Sequence, residues 1–508
     1  MNVCLISPYS DFTANGVRLL SAILKQRGYS TTVLFLVDMG FEGGGYLSDF
    51  AHGYPEKLLP QILEHARQSD LIGMSLLTPY FSRSVQLTRY FKEHLSTPII
   101  WGGVHPTLCP EQCLQQVDYI CVGEGEQAFP EFVEALEKDG DPYSIPNIWG
   151  RKDGDIVKNS ARPLLEDLDS LPYPDYGPEG HWVVSMDSQT LLPATEELNR
   201  KYLYLGPVHE RIWTYQILTS RGCPHQCSFC GNLAMHQAAG ERLGYRARSV
   251  EHVIGELEEI HKRYEIRGLL ITDDAFMAYK TEDIRKFCEL YKEKIGAPFR
   301  INATPNLIKE EKVHLLFDAG LRWLEIGIQS GSPRILELFK RQWCTPERVL
   351  RSAEIVKPYQ KECLLIYDLI VDNPWETTDN LLETLQLILK LPRPYHLQSF
   401  PLMYYPGTEL YHRAIAEGII REGDLSVVEK TMQKKRACYI NFLFTLAGVQ
   451  WIPRWLIKVL AWRPLVKIGN RPIFDRLFDG IYLIARYLKT MFFHHPAPKD
   501  LVIDVEVS

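Results

Sequence analysis

Thr219-Ser220-Arg221-Gly222-Cys223-Pro224-His225-Gln226-Cys227-Ser228-Phe229-Cys230-Gly231-Asn232 places three cysteines within eight residues, spaced x3 and then x2. The apolar run at 215–220 reads as a strand, so the cysteines lie on a loop leaving a strand end. Three thiolates on such a loop can converge on one soft metal centre. A [4Fe-4S] cluster usually takes four cysteines, so three leave one iron open to another ligand. The competing reading is structural zinc, which prefers paired Cys-x2-Cys units or Cys with His closing four positions. His225 lies inside the loop, but no second pair follows nearby.

Outward from this loop, strand and helix signals alternate. Apolar runs predict strands at 215–220, 268–272, 300–303, 323–328, 364–371 and 398–402. Amphipathic stretches predict helices at 249–264, 282–294, 309–319, 345–356, 378–391 and 408–417. Six β/α units over 211–428 suit a partial (β/α)6 barrel, with reacting groups on the loops after its strands. Upstream, residues 1–145 carry apolar runs at 3–6, 32–35, 71–76, 98–101 and 119–122, with amphipathic stretches between them. This α/β segment reads as a doubly wound, Rossmann-like sheet, whose ligands sit at the carboxyl ends of the strands. Ile145-Pro146, Arg162-Pro163, Leu171-Pro172-Tyr173-Pro174 and Gly177-Pro178 break up residues 146–210, which read as a connector.

A chain of 508 residues is long enough for two or three cores. Its 45% hydrophobic and 23% charged residues are ordinary for a globular protein. The net charge of -7 argues against a whole-surface nucleic-acid binder, and no nucleic-acid partner is expected. The N-terminus runs straight into a strand pattern without a basic leader, and eleven scattered cysteines do not form a disulfide framework. A cytoplasmic location is expected.

Cys223, Cys227 and Cys230, with Phe229 before the third, resemble the signature of the radical S-adenosylmethionine (SAM) superfamily. The resemblance implies a [4Fe-4S] cluster on the three cysteines and SAM chelated at the open iron. It also implies reductive cleavage of SAM to a 5′-deoxyadenosyl radical, fed by an electron donor such as flavodoxin or ferredoxin. It sets Phe229 and Gly231 at the SAM edge, and Asp273 or Asp274 near the methionine amino group. Gln329 and Ser330, within Glu325-Ile326-Gly327-Ile328-Gln329-Ser330-Gly331-Ser332, would lie near the ribose and carboxylate. Taken alone, an Asp-Asp pair at a strand end is a helix N-cap, and Gly331 a turn residue. Asp372-Asn373-Pro374-Trp375-Glu376-Thr377 and Pro406-Gly407-Thr408 resemble later segments of the superfamily. The second of these also reads as a loop and cap.

Ser75-Leu76-Leu77 and Gly102-Gly103-Val104-His105-Pro106-Thr107, after the third and fourth strands, resemble cobalamin-binding domains fused ahead of radical SAM cores. The resemblance implies cobalamin held by Ser75, Leu77, Gly102, Gly103, His105 and Gly123. Glycines would let a flat macrocycle or its nucleotide tail approach the sheet. Methyl-carrying relatives often have Asp-x-His-x-x-Gly after the first strand, whereas residues 8–16 here contain no His. His105 reads as a turn or tail residue. The alternative is a domain of this fold without corrin. Cys4 and Cys121 fall in strand-like runs and behave as small hydrophobes, so they and Cys109 and Cys113 predict no second cluster.

Residues 429–508 read as a helical, aromatic C-terminal region, with twelve Lys and Arg against two Asp between 430 and 489. Two readings stay open for it: helices lying on an anionic membrane surface, or a cap on the barrel mouth. The first would make the protein peripheral on the inner membrane surface and favour a lipid-like substrate. The leading expectation for the whole chain is a cobalamin-dependent radical SAM methyltransferase acting on an unactivated carbon. The alternatives are a radical cyclase or oxidase of the same architecture, a tRNA methylthiotransferase, and a membrane-associated cofactor carrier.

Overall fold

The computed structural model describes residues 1–9, 12–37, 53–185, 188–202, 214–238, 240, 244–424 and 435–481. Ser10 and Asp11 of the first loop, and the tail beyond Ile481 with Leu483, Tyr487, Met491 and Phe492, lie outside the described residues.

The N-terminal strands are β1 (Asn2–Ser7), β2 (Ser30–Phe35), β3 (Leu71–Ser75), β4 (Ile99–Gly102) and β5 (Tyr119–Cys121). They pair in parallel in the order β5-β4-β3-β1-β2. Alternate residues point to opposite faces, and both faces are covered, as parallel sheets require. Cys4, Ile6, Ile72, Met74 and Trp101 pack with Ile62, Leu87 and Phe91 of two crossover helices. Val3, Leu5, Leu71 and Ile100 face a second core, which continues into the barrel through Ile217, Leu269 and Ile271. Since β1 has β2 on one side and β3 on the other, the strand order reverses there. A crevice opens at the carboxyl ends of these strands.

Residues 146–210 do more than connect. Here β6 (Ile148–Lys152) and β7 (Asp155–Val157) extend the sheet antiparallel beyond β5. At the other side β8 (His181–Val184) joins β2 in parallel, and β9 (Leu191–Pro193) closes the edge, making nine strands. Proline and glycine mark the ends of short edge strands in this segment, where a missing ladder donor is tolerated. Arg18 fastens the segment to the sheet from a fully buried position. Its guanidinium donates to the carbonyls of Phe12, Thr13 and Asp175 and lies 4.1 to 4.4 Å from the Phe12, Phe35 and Tyr176 rings.

The expected first barrel strand is divided. β10 (Tyr215–Ile217) stays in the barrel, while β11 (Ser220–Arg221) turns away to pair antiparallel with β12 (Arg246–Ala247). The remaining strands are β13 (Leu269–Ile271), β14 (Phe299–Ala303), β15 (Leu321–Gln329), β16 (Leu364–Val371) and β17 (His396–Pro401). With β10 they form a parallel six-stranded sheet in sequence order. Three of the helices between them start at side-chain caps: Ser249 accepts from the His252 amide, Thr345 from Arg348, and Thr377 forms a capping box with Asn380. Thr408 likewise caps the helix Glu409–Ala416.

The first tail helix, Tyr439–Ala447, buries Ile440, Leu443, Phe444 and Ala447 in the barrel core beside Leu385, Ile388 and Tyr395. Asn441 donates to Asp372 at 2.8 Å, tying that helix to the end of β16. Among the described residues no helix is long and apolar enough to cross a membrane.

Candidate functional site

The loop of three cysteines leaves β11 through Gly222, whose φ is +84°. A Cβ there would fall 2.0 Å from the Gly244 carbonyl oxygen, so a side chain is excluded. Cys227 is buried, Cys223 and Cys230 are half-buried, and all three are free thiols. Burial pushes the Cys223 thiol up to about 11 and Cys230 up to about 12, with Cys227 and Asp274 adding repulsion to both. The three sulfurs and Asp274 thus form one electrostatic neighbourhood that a cationic centre would relieve. Arg341 supplies part of that charge: it donates to Cys227 Sγ at 3.3 Å and to the Gly327 carbonyl at 2.7 Å, and stacks 4.3 Å over Trp343.

His225, the residue a zinc reading would recruit, is stacked on Trp343 at 3.9 Å, with Nε2 3.4 Å from Thr304 Oγ1. Among the described residues no three His, Cys, Asp or Glu side chains converge on a single metal ion. A cubane bonds each thiolate to a different iron and needs no such convergence. Three cysteine thiols on one loop are the donor set a [4Fe-4S] cluster takes with one iron left open. Phe229 wedges edge-on against Phe339 at 5.0 Å, in a small core with Leu402, Tyr404 and Leu410. Gly231 opens the helix Gly231–Ala238, and a Cβ on it would meet nothing within 4 Å, so open space lies beside Cys230.

The Asp pair divides. Asp273 is buried, and its oxygens accept from the Thr219 amide at 2.6 Å and from the Thr219 and Ser220 hydroxyls at 2.5 Å each. Burial pushes its carboxyl up to about 6 despite these donors. It ties the end of β13 to the strand entering the cysteine loop. Asp274 is exposed and is the member that acts on Cys223 and Cys230. Ser330 is held in a similar way. It is buried, its hydroxyl 3.1 Å from Thr384 Oγ1 and accepting from the Ser332 amide, so it stitches β15 to the helix Thr378–Ile388. Gln329 is half-buried with φ +69°, at the register slip between β15 and β16. Deeper in the lumen, Glu325 pairs with Arg300, and burial beside Glu325 raises the Asp368 carboxyl well above its ordinary range.

The N-terminal crevice holds a cavity of about 210 Å³ lined by Gly73, Ser75, Gly102, Gly103 and Gly123 among others. Gly103 has φ +95°, and a Cβ on it would lie 2.9 Å from the Leu76 carbonyl. A Cβ on Gly73 would stand 3.1 Å from Leu5 and 3.3 Å from the Phe129 ring. At these positions the missing side chains let the chain pack closely on itself beside the cavity, and Ser75 Oγ, 2.8 Å from Tyr9 OH, is a polar group in its lining. Two expected residues stand apart. Leu77 is exposed outside the lining, and His105 is fully buried, its Nδ1 3.3 Å from Thr78 Oγ1 and its ring against Phe81. Burial pushes His105 down to about 4, so it packs as a neutral residue beside the Gly102-Gly103 turn. Gly73 was not anticipated, although a glycine inside an apolar strand signals close approach of another group.

The cavity and the cysteine loop share a seam. Glu124 and Glu126 line the cavity, and Arg221, two residues before Cys223, donates to both at 2.9 and 2.6 Å. Arg246 of β12 donates twice to Glu124, at 2.8 and 3.0 Å. Burial alone would raise the Glu124 carboxyl, but the Arg246 hydrogen bond and the nearby arginine charges hold it down at about 2. Beside this bridge, the helix Val104–Leu108 packs on Gly231–Ala238.

Comparison with known proteins agrees with this arrangement. The B12 binding domain matches residues 1–133, and the Radical SAM superfamily matches residues 217–388. The uncharacterized methyltransferase PH0819 of Pyrococcus horikoshii is 28% identical over 355 residues, covering 69% of this chain and 70% of that protein. The anaerobic magnesium-protoporphyrin IX monomethyl ester cyclase of Rubrivivax gelatinosus is 26% identical over 57% of this chain, and the match spans about half (48%) of the cyclase. Among solved structures, the radical SAM methyltransferase TsrM from Kitasatospora setae shares the fold with a TM-score of 0.62 at 16% identity, covering 82% of this chain and 76% of that one. The cobalamin-dependent SAM radical enzyme OxsB gives 0.63 at 17% identity, covering 97% of this chain and 76% of that one. The chain therefore carries, in order, a B12 binding domain and a domain of the Radical SAM superfamily.

Proposed function

We propose that the protein is a cobalamin-dependent radical SAM methyltransferase acting on an unactivated carbon of a small molecule. The observation that carries this reading is the seam just described, in which one arginine, Arg221, links the rim of the glycine-lined crevice to the cysteine loop. A methyl carrier and a radical generator must both reach one substrate carbon, and this seam keeps their two sites adjacent. When bound, the cluster with SAM supplies hydrogen-atom abstraction, and cobalamin supplies the methyl group. Cys223, Cys227 and Cys230 would hold the cluster, with Arg341 tempering the charge on Cys227. Asp274 would meet the SAM ammonium, Gly231 would leave room for SAM beside Cys230, and Gln329 would lie near the ribose. Gly102, Gly103, Gly123 and Ser75 would receive the corrin. Flavodoxin or ferredoxin is the electron donor proposed. On the aromatic and basic composition of the tail, the substrate is placed among lipid-like or other apolar compounds.

The test is anaerobic incubation of the reconstituted full-length protein with cobalamin, SAM and a reductant. The expected products are both 5′-deoxyadenosine and S-adenosylhomocysteine, with the former lost in a Cys223→Ala/Cys227→Ala/Cys230→Ala variant. 5′-Deoxyadenosine with no S-adenosylhomocysteine would move the reading to a radical cyclase, the activity named for the Rubrivivax relative. Neither product would remove the enzyme reading.

A further inference from the structure

The described residues carry thirteen exposed large hydrophobic side chains, and nine of them lie between Trp451 and Leu477. That concentration marks a patch, whereas single exposed apolar residues need no explanation. Trp451, Trp455 and Trp462 are 71%, 66% and 62% exposed, and Ile473 reaches 81%. The patch is built on two short helices, Arg454–Leu460 and Arg463–Gly469, whose buried members are Ile457 and Val466. Polar bonds hold their inner sides to the barrel: Arg454 donates to the Leu391 carbonyl, and Arg463 pairs with Asp379. The tryptophans are left facing outward.

Cations are interleaved with these apolar groups. Lys458, Lys467, Arg471 and Arg476 are exposed and have no ion pair among the described residues. Asp475, one of the two local acids, is already paired with Arg436 at 2.8 Å. A second copy of the chain docked by two-fold symmetry would bring basic patch against basic patch. A nucleic acid would match the charge and stack bases on the indoles, but it would leave the exposed aliphatic side chains Val459, Leu465, Ile468 and Ile473 without an apolar partner. A surface of anionic headgroups over acyl chains satisfies both, because indole rings settle at headgroup depth and cations pair with phosphate.

We infer that residues 451–477 seat the protein on an anionic lipid surface, with the tryptophans inserted at the headgroup level. The inference rests on this surface alone and stands apart from the reaction proposed above.

The test is co-sedimentation of the full-length protein with vesicles of phosphatidylglycerol and phosphatidylcholine in equal parts, against phosphatidylcholine alone. Binding is expected to the anionic vesicles, with a blue shift of tryptophan emission. It should weaken by more than about tenfold in Trp455→Ser/Trp462→Ser and in Lys458→Glu/Lys467→Glu. Raising the salt should release wild type further, and both variants should keep the wild-type unfolding midpoint. Absent binding, or equal binding by the variants, overturns the inference. So does a wild-type dimer in solution that the tryptophan variant abolishes, since that assigns the patch to a second copy. The 5′-deoxyadenosine assay is independent of these outcomes.

Discussion

Asp273 and Asp274 are adjacent and chemically identical, yet their surroundings assign them different work. Asp273 accepts three hydrogen bonds inside the protein, and Asp274 stands in the open beside the cysteine sulfurs. Replacing Asp273 with Asn leaves a buried amide nitrogen facing donors, a mismatch expected to cost about 2–3 kcal/mol of stability. Asp274→Asn should change stability by less than about 0.5 kcal/mol, as exposed substitutions do, while weakening SAM binding several-fold. Denaturant midpoints and SAM titration of the reconstituted protein separate the two. If Asp273→Asn proved neutral to stability, the structural role assigned to that residue would fail. The pH dependence has a definite sign. A carboxyl raised to about 6 in the fold holds its proton where the unfolded chain has released it, so this residue's contribution to stability falls as pH rises from about 4 to about 6.

Among the elements, the docking of Gly231–Ala238 on Val104–Leu108 depends on Gly407. Its φ is +77°, and a Cβ there would stand 3.3 Å from both Ala234 and Leu108. Gly407→Val should therefore cost about 1–3 kcal/mol, combining backbone strain with overpacking, and should lower cobalamin retention along with stability. Ala234→Gly in the same chain should recover part of the loss, read by thermal unfolding. The superfamily-like Pro406-Gly407-Thr408 segment thus acts as a spacer and a cap. How much of the fold could be read in advance follows from the same physics. The parallel strands were legible because burial on both faces leaves continuous apolar runs such as Val3–Ile6. β6 to β9 were not, because short edge strands need little apolar content and their prolines resemble linker punctuation. The cysteine loop was legible because its ligands are local in sequence. Arg341, 114 positions from Cys227, was not, since nothing nearby marks a buried guanidinium that meets a thiol only after the barrel closes. A histidine beside two glycines reads as a turn or tail residue, and only the packing of Phe81 and Thr78 shows the His105 ring to be internal.

The molecule as a whole holds its two sheets together by a shared apolar core and by ion pairs, and the bridge at Glu124 is a part that pH can open. Glu124 is 23% exposed, and Arg221 and Arg246 are 20% and 7% exposed, so solvent screens the pair only in part. Its carboxyl sits at about 2 in the fold against 4.5 in an ordinary setting. The folded state therefore releases this proton more readily than the unfolded chain does. The resulting stabilisation is complete above about 4.5 and disappears as pH falls through the window down to about 2. Discounted for partial exposure, it amounts to about 1–3 kcal/mol at neutral pH. Glu124→Gln should lower the unfolding free energy from urea titration by that amount at pH 7, and the gap between variant and wild type should close as the pH is taken down across the window. Because Arg221 enters the cysteine loop, the same variant should also loosen the cavity rim against that loop, lowering S-adenosylhomocysteine formation more than 5′-deoxyadenosine formation. A gap that stayed constant with pH would mean that Glu124 stabilises the interface by packing and not by charge.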